Sequence, residues 1–260
     1  MTAVRGKVAV VTGGASGIGR AIARQLIAEG ATVAIADIER DTAQRTAAEI
    51  GATAFSVDVS DARSVQQLAT DVLATFGQVD VLVNNAGVAS IARLDEMTDD
   101  DWSWLIGVNL FGLVHGVAAF LPHLRRSGGH ILNTGSMAGL SPDVGMGGYG
   151  VTKFAITAYT EVLAAELSGT GISVTLLAPG PVRTDLGSSS RNRPADSTGG
   201  LHDADLAAGG GGGMRWLDAE EVGRIAVQAV LEDRLYAITH PDWLGVVQSR
   251  HRAIERAFTD

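Results

Sequence analysis

Three side chains in the middle of the chain have the types and spacing for proton chemistry. Tyr149 and Lys153 lie four residues apart in a stretch of helical character, so they share one face. Ser136 precedes Tyr149 by thirteen residues, at the carboxyl end of an apolar run, where open α/β sheets bind ligands. A phenol with a pKa of about 10 is a poor base at neutral pH, and an adjacent ammonium lowers that pKa by favouring phenolate. A serine hydroxyl can donate to an oxygen that becomes negative, as a carbonyl oxygen does when hydride reaches its carbon. Of three tyrosines, only Tyr149 has a lysine four residues on. Lysine is scarce, Lys7 and Lys153 standing against eighteen arginines, and arginine does not replace a compact ammonium.

A second constellation lies near the N-terminus. Thr12-Gly-Gly-Ala-Ser-Gly-Ile-Gly19 places Gly13, Gly17 and Gly19 in the spacing G-x-x-x-G-x-G, with Ser16 and Ile18 between them. Glycines allow a tight turn and close approach to a pyrophosphate, whose charge a helix N-terminus stabilises. Asp37 follows Gly19 by eighteen residues. A carboxylate there can accept from both hydroxyls of an adenosine ribose and repel a 2′-phosphate, which favours NAD over NADP. The plainer reading is a cap for the next helix. Ala15 and Ser16 put no basic residue in the turn, and Arg40 is the residue that could weaken the preference.

These residues need a scaffold, and the pattern supplies one. Short β-branched runs alternate with longer helical stretches, the sign of βαβ units and a parallel sheet. Strands are expected at about 7–12, 32–37, 53–57, 79–83, 130–134, 172–177 and 235–239. Helices are expected at 17–29, 41–50, 62–76, 99–124, 149–167 and 218–231, with Asp61 a cap, Gly77 a stop and Asp99-Asp100-Asp101 an acidic start. This predicts a Rossmann-like, doubly wound, mostly parallel seven-stranded sheet with helices on both faces. Residues 1–260 read as a single domain ending in a helical tail at about 242–258. Residues 185–215 are rich in Ser, Gly and Asp and include Gly209 to Gly213. A structureless stretch of that length suggests a lid over the substrate.

Taken in order from about residue 5 to 185, Thr12 to Gly19, Asn84-Asn-Ala-Gly87, Asn109, Ser136, Tyr149-x-x-x-Lys153 and Pro179-Gly180 resemble the motif set of the classical short-chain dehydrogenase/reductase family. Gly150-Val151-Thr152 stands where Ser-Ala-Ser is commoner. The resemblance implies hydride transfer between NAD(H) and a secondary alcohol or ketone. Tyr149 would be the acid/base, with Lys153 on the nicotinamide ribose. Ser136 would orient the carbonyl, and Asn109 would keep a proton-relay water. The cofactor would lie on Gly13, Ser16, Gly17, Ile18, Gly19, Asp37, Ile38, Asp58 and Val59. It would continue over Asn85, Ala86, Gly87, Tyr149, Lys153, Pro179, Gly180, Val182 and Thr184. Homodimers or homotetramers would form through the helices at 99–124 and 149–167.

Composition sets outer bounds. A formal charge of −9 would repel nucleic acid and anionic lipid. With no cysteine, disulfides, thiolate catalysis and cysteine-ligated metals are excluded, which fits a cytoplasmic protein. The first apolar run, Val8 to Val11, is short for a signal peptide, and eighteen consecutive apolar residues occur nowhere, so no membrane partner is expected. His115, His123, His130, His202, His240 and His251 have no metal-ligand spacing. Trp102 and Trp104 read as packing residues. Met137, Leu140, Val144, Met146 and Met214 could form a partly apolar pocket or ordinary core. Arg183, Arg191, Arg193 and Arg215 could meet an anionic substrate or merely solvate the loop. An NADP-dependent carbonyl or 3-oxoacyl reductase, or a nucleotide-sensing protein without turnover, remain alternatives.

Overall fold

A computed structural model describes residues 2–89, 92–142, 145–194, 203 and 215–259. The chain opens with β1 (Val8–Thr12), α1 (Gly17–Ala28), β2 (Thr32–Asp37), α2 (Arg40–Ile50), β3 (Thr53–Ser56), α3 (Ala62–Phe76) and β4 (Val81–Asn84). It continues through α4 (Asp99–Leu105), a π-helical turn at Ile106–Phe111, α5 (Gly112–Ser127), β5 (Gly129–Thr134), α6 (Gly147–Glu166) and β6 (Ile172–Ala178). A strand pair, β7 (Val182–Arg183) and β8 (Leu217–Asp218), precedes α7 (Ala219–Leu231), β9 (Tyr236–Ile238) and α8 (Leu244–Arg256).

The main sheet runs β3-β2-β1-β4-β5-β6-β9, and every neighbouring pair is parallel. The Rossmann-like three-layer architecture is therefore as expected, with β9 completing seven strands. Side chains alternate along each strand, so one strand feeds two cores. From β1, Val10 joins Leu68, Val72, Val117 and Phe120 on the face covered by α3 and α5. Ala9 and Val11 join Ile22, Leu26, Val227 and Val230 on the face covered by α1 and α7. The order reverses between β1 and β4, which opens a crevice at the carboxyl ends of those strands.

Local signals were read correctly where they were strong. Asp61 caps α3 by accepting from the Arg63 amide, and Gly77 ends it at φ 77°. Two expectations need correction. The long helix at 99–124 is interrupted by the π-helical turn, and Thr98 caps it rather than the aspartates. Thr98 and Asp101 form a reciprocal capping box, which satisfies two otherwise orphaned amides. Residues 185–192 are not structureless either, because Asp185–Asn192 forms 3-10 turns started by the Thr184 hydroxyl. The rest of the expected lid, at 195–202 and 204–214, lies outside the described residues, as do Val144, His202 and Met214.

The helical run Asp99–Ser127 is long and apolar enough to cross a membrane, with a mean hydropathy of 1.8 over its most apolar window. Half of that window is buried, and α5 packs against β4, β5 and α3, as a core helix does.

Candidate active site

A cavity of about 580 Å³ runs along the carboxyl edge of the sheet from Asp37 to Tyr149. At one end, the turn after β1 is drawn tight against β4. A Cβ on Gly19 would lie 2.1 Å from the Gly13 carbonyl oxygen, and one on Gly13 would lie 2.7 Å from Ala86 Cα. Only glycine fits either place. Asn85 clamps the same turn, its Nδ2 donating to the Thr12 carbonyl at 3.1 Å and to the Gly13 carbonyl at 3.2 Å. Helix α1 then starts with no side-chain cap and no acidic residue in its first turn. Its leading amides are left for an anion, in contrast to capped α3 and α4.

Asp37 closes this end. Its carboxylate accepts from the Ala15 amide at 3.0 Å and from the Glu39 amide at 3.0 Å. Burial raises its pKa, and these amides only partly offset that. Glu39 also lines the cavity and accepts from Arg191 Nε at 2.9 Å and Asn192 Nδ2 at 3.0 Å. Those bonds hold its carboxyl below the ordinary range. Arg40 is exposed and does not line the cavity.

At the other end, β5 delivers Ser136 in extended conformation, and its Oγ accepts from the Ala138 amide at 3.1 Å. The same hydroxyl donates to the Pro179 carbonyl at only 3.4 Å, a weak commitment. Helix α6 starts two residues before Tyr149 and carries Lys153 one turn later. Lys153 Nζ lies 5.4 Å from the centroid of the Tyr149 ring and donates to the Thr134 carbonyl at 2.9 Å. The pair meets as the spacing required, yet the expected acidified phenol does not result. Burial pushes the Tyr149 pKa up to about 12, outweighing the Ser136 hydroxyl, which acts in the opposite direction. Burial likewise brings the Lys153 pKa down to about 8. The low-dielectric surroundings disfavour charge on both groups.

Of the residues singled out from the sequence, the cavity wall includes Gly13, Ser16, Gly17, Ile18, Asp37, Ile38, Asp58, Val59, Asn85, Ala86, Gly87, Ser136, Tyr149, Lys153, Pro179, Gly180, Val182 and Thr184. Gly19 and Asn109 stand behind it. Asn109 sits in the π-helical turn, buried, with Oδ1 accepting from the Val88 amide at 2.8 Å. Its Nδ2 donates to the Val88 carbonyl at 2.9 Å and to Thr152 Oγ1 at 3.0 Å. Thr152 in turn donates to the Tyr149 carbonyl at 2.7 Å, so the residue that departs from the commoner motif ties Asn109 to the catalytic helix.

Trp216, Trp243 and Leu186 line the cavity although nothing in the local sequence marks them. Met137 and Met146, open between pocket and core, line it, as does Trp104, which reads from the sequence as a packing residue; Leu140 does not. His240 is fully buried beneath Gly180. Its Nδ1 accepts from the Gly180 amide at 3.1 Å, and its Nε2 lies 2.9 Å from the Arg215 carbonyl, which fixes the proton on Nε2. Among the described residues no cluster of three His, Asp or Glu side chains could hold a metal ion.

The chain matches the short chain dehydrogenase family over residues 7–195 and belongs to that family of oxidoreductases. Among curated relatives, D-threitol dehydrogenase of Mycolicibacterium smegmatis is 40% identical over 188 residues, 70% of this chain and 72% of the relative. Meso-2,3-butanediol dehydrogenase of Serratia marcescens is 37% identical over 183 residues, covering 69% and 73%. A short chain dehydrogenase/reductase from Burkholderia phymatum, solved in complex with NAD, superposes with a TM-score of 0.90 at 36% identity. That superposition covers 99% of this chain and 97% of the other.

Proposed function

We propose that residues 1–260 work as one catalytic domain, an NAD(H)-dependent oxidoreductase that interconverts a secondary alcohol and a ketone. The observation that carries this reading is the single cavity joining an uncapped helix N-terminus and glycine cradle to Ser136, Tyr149 and Lys153. A bound nicotinamide dinucleotide supplies the hydride acceptor for the alcohol carbon and the hydride donor for the ketone. The amides at the start of α1 hold its diphosphate, and Asp37 takes the adenosine ribose. Lys153 releases its bond to Thr134 in part to grip the other ribose. Tyr149, kept protonated by burial, donates its Oη proton to the carbonyl oxygen during reduction; for oxidation it first loses that proton to solvent, so that the phenolate can take the hydroxyl proton, while Ser136 donates to the substrate oxygen. Asn109, with all its described bonds made, acts by fixing the segment around Val88 to helix α6.

NAD is favoured over NADP because two carboxylates, Asp37 and Glu39, line the adenosine end. The nearby guanidinium of Arg191 is committed to Glu39 and to the carbonyls of Asp185 and Ser188. Large apolar side chains stand about half exposed on the two helices expected to pair: Phe111 beside α5, and Val151 and Val162 on α6. This supports a homodimer or homotetramer, working in the cytoplasm. Residues 185–215 act as its substrate lid.

Replacing Tyr149 with Phe tests the reading. The expected result is a fall in kcat of about 10²- to 10⁴-fold on any alcohol that the parent oxidises. NADH affinity, read by fluorescence titration, stays within about threefold. Near-parental turnover would remove Tyr149 from the chemistry.

A further inference from the structure

Resting on the reading just given, we infer that the substrate is a bulky, uncharged, aromatic or alicyclic secondary alcohol or its ketone, rather than a short polyol or a hydroxy acid. Charge is the first argument. Every arginine that flanks the substrate side of the chain is neutralised within the protein: Arg183 by Asp218, Arg191 by Glu39, Arg193 by Asp101 and Arg215 by Glu221. The Arg193–Asp101 pair is almost fully buried and so unavailable to a substrate carboxylate. The charged groups that do line the cavity belong to its dinucleotide half. Asp37 and Glu39 stand at the adenosine end with Arg191, and Asp185 follows Thr184, whose side chain abuts Gly17 of the glycine turn. Lys153 alone reaches the other half, and its ammonium is bonded to Thr134.

Shape and polarity give the second argument. Tyr149 packs in a small apolar cluster with Ala89, Ala138, Met146 and Leu186. Trp216 and Trp243 lie beside the Pro179–Val182 turn, since Leu217 donates to the Pro181 carbonyl and Trp243 donates to the carbonyl of His240, which braces Gly180. Three of the chain's four tryptophans thus line this one cavity. Ser189, which could have met a second hydroxyl, spends its Oγ on the Ala89 amide and the Leu186 carbonyl. Among the described residues, Ser136 and Tyr149 are then the hydroxyls left for substrate, enough for one oxygen, with the indole N–H groups of the three lining tryptophans as further donors. The extra hydroxyls of a polyol would find at most such a donor and lose their other hydrogen bonds against tryptophan and methionine, whereas a ring system would gain aromatic contact.

The test is a steady-state panel with the full chain and NAD: 1-phenylethanol, 4-phenyl-2-butanol and cyclohexanol against meso-2,3-butanediol, threitol and 3-hydroxybutyrate. The expected result is a kcat/KM at least ~100-fold higher for the best ring-bearing alcohol than for either polyol or the hydroxy acid. Trp243→Ala should raise KM for that alcohol about tenfold, with a smaller change in kcat. A polyol or hydroxy acid turned over as well as the ring-bearing alcohols would overturn the inference while leaving the proposed activity standing. NADH binding with no turnover of any panel member, in either direction, would instead remove the proposed activity itself.

Discussion

Lys153→Met should change the stability of the protein by an amount that depends on pH. Burial draws the ammonium of Lys153 from an ordinary pKa of 10.5 to about 8. The folded pKa lies below the unfolded one, so between about pH 8 and 10.5 the unfolded chain holds a proton that the folded chain has released. Stability therefore rises with pH across that window. At 1.36 kcal/mol per pH unit, carrying the charged lysine costs the folded state about 3 kcal/mol at pH 7 and under ~1 kcal/mol at pH 10. Methionine removes that cost but also the bond to Thr134, which contributes about 1.5–3 kcal/mol while the lysine is charged and about 0.5–1.5 kcal/mol once it is neutral. The variant should exceed the parent by up to about 2 kcal/mol at pH 7 and come within about 1 kcal/mol of it at pH 10, where the folded lysine is neutral. Tyr149, pushed up to about 12, stays protonated in the folded state throughout, and its contribution cancels between the two proteins. Differential scanning calorimetry reads the effect as a relative shift of about 2–6 °C in Tm between the two pH values, for a chain of this size. A Tm difference that does not move with pH would show that the lysine bears no desolvation penalty, and the electrostatic account of the site would fail with it.

Three further outcomes follow from individual contacts. Gly19→Ala forces a methyl group to within 2.1 Å of the Gly13 carbonyl, so NADH affinity should fall at least ~100-fold, read by fluorescence titration, while Gly245→Ala, with open space around it and an ordinary backbone conformation, should leave binding unchanged. Asp37→Ser removes the acceptor for the Ala15 and Glu39 amides as well as the negative charge, so the NADH-to-NADPH preference should drop about tenfold or more, measured as the ratio of kcat/KM. His240→Asn keeps an acceptor near Gly180 and should hold NADH affinity within about threefold, whereas His240→Ala leaves that amide only the Thr239 hydroxyl and should weaken it about tenfold.

What could be read from the sequence was local or strictly spaced. Helix α3 was bounded at both ends because a cap and a stop residue lie beside the segment they delimit. Tyr149 and Lys153 were paired because a four-residue helical step decides their neighbourhood. Thr98 escaped notice beside three aspartates, since the capping residue is chosen by backbone geometry just outside the helix, not by charge inside it. The π-helical turn has no sequence signature at all; it is settled by where Asn109 must sit to reach Val88 and Thr152. Glu39, Trp216, Trp243 and His240 were missed for a different reason. They are placed by tertiary pairings: Glu39 meets Arg191 and His240 meets Gly180 across 60 or more residues, Trp216 adjoins Leu217, which pairs with Pro181, and Trp243 follows His240. Apolar, unspaced residues give no hint of such meetings.

The direction of the electrostatic strain says more than the positions alone. Three features on this site break local rules: a helix with neither a cap nor an acidic first turn, a lysine buried without a carboxylate, and an aspartate whose pKa burial raises. All three fall along one cavity, and each would be relieved by a different group. Orphaned amides call for an anion, a buried ammonium for hydroxyl oxygens, and a half-desolvated carboxylate for hydroxyl donors. A diphosphate flanked by two riboses carries all three, the phosphates in the middle and a pair of hydroxyls on either side. Natural sequences tend to depart from local consistency where function requires it. Here the departures are complementary to a single extended molecule, which is a stronger argument than any one of the motifs that first drew notice.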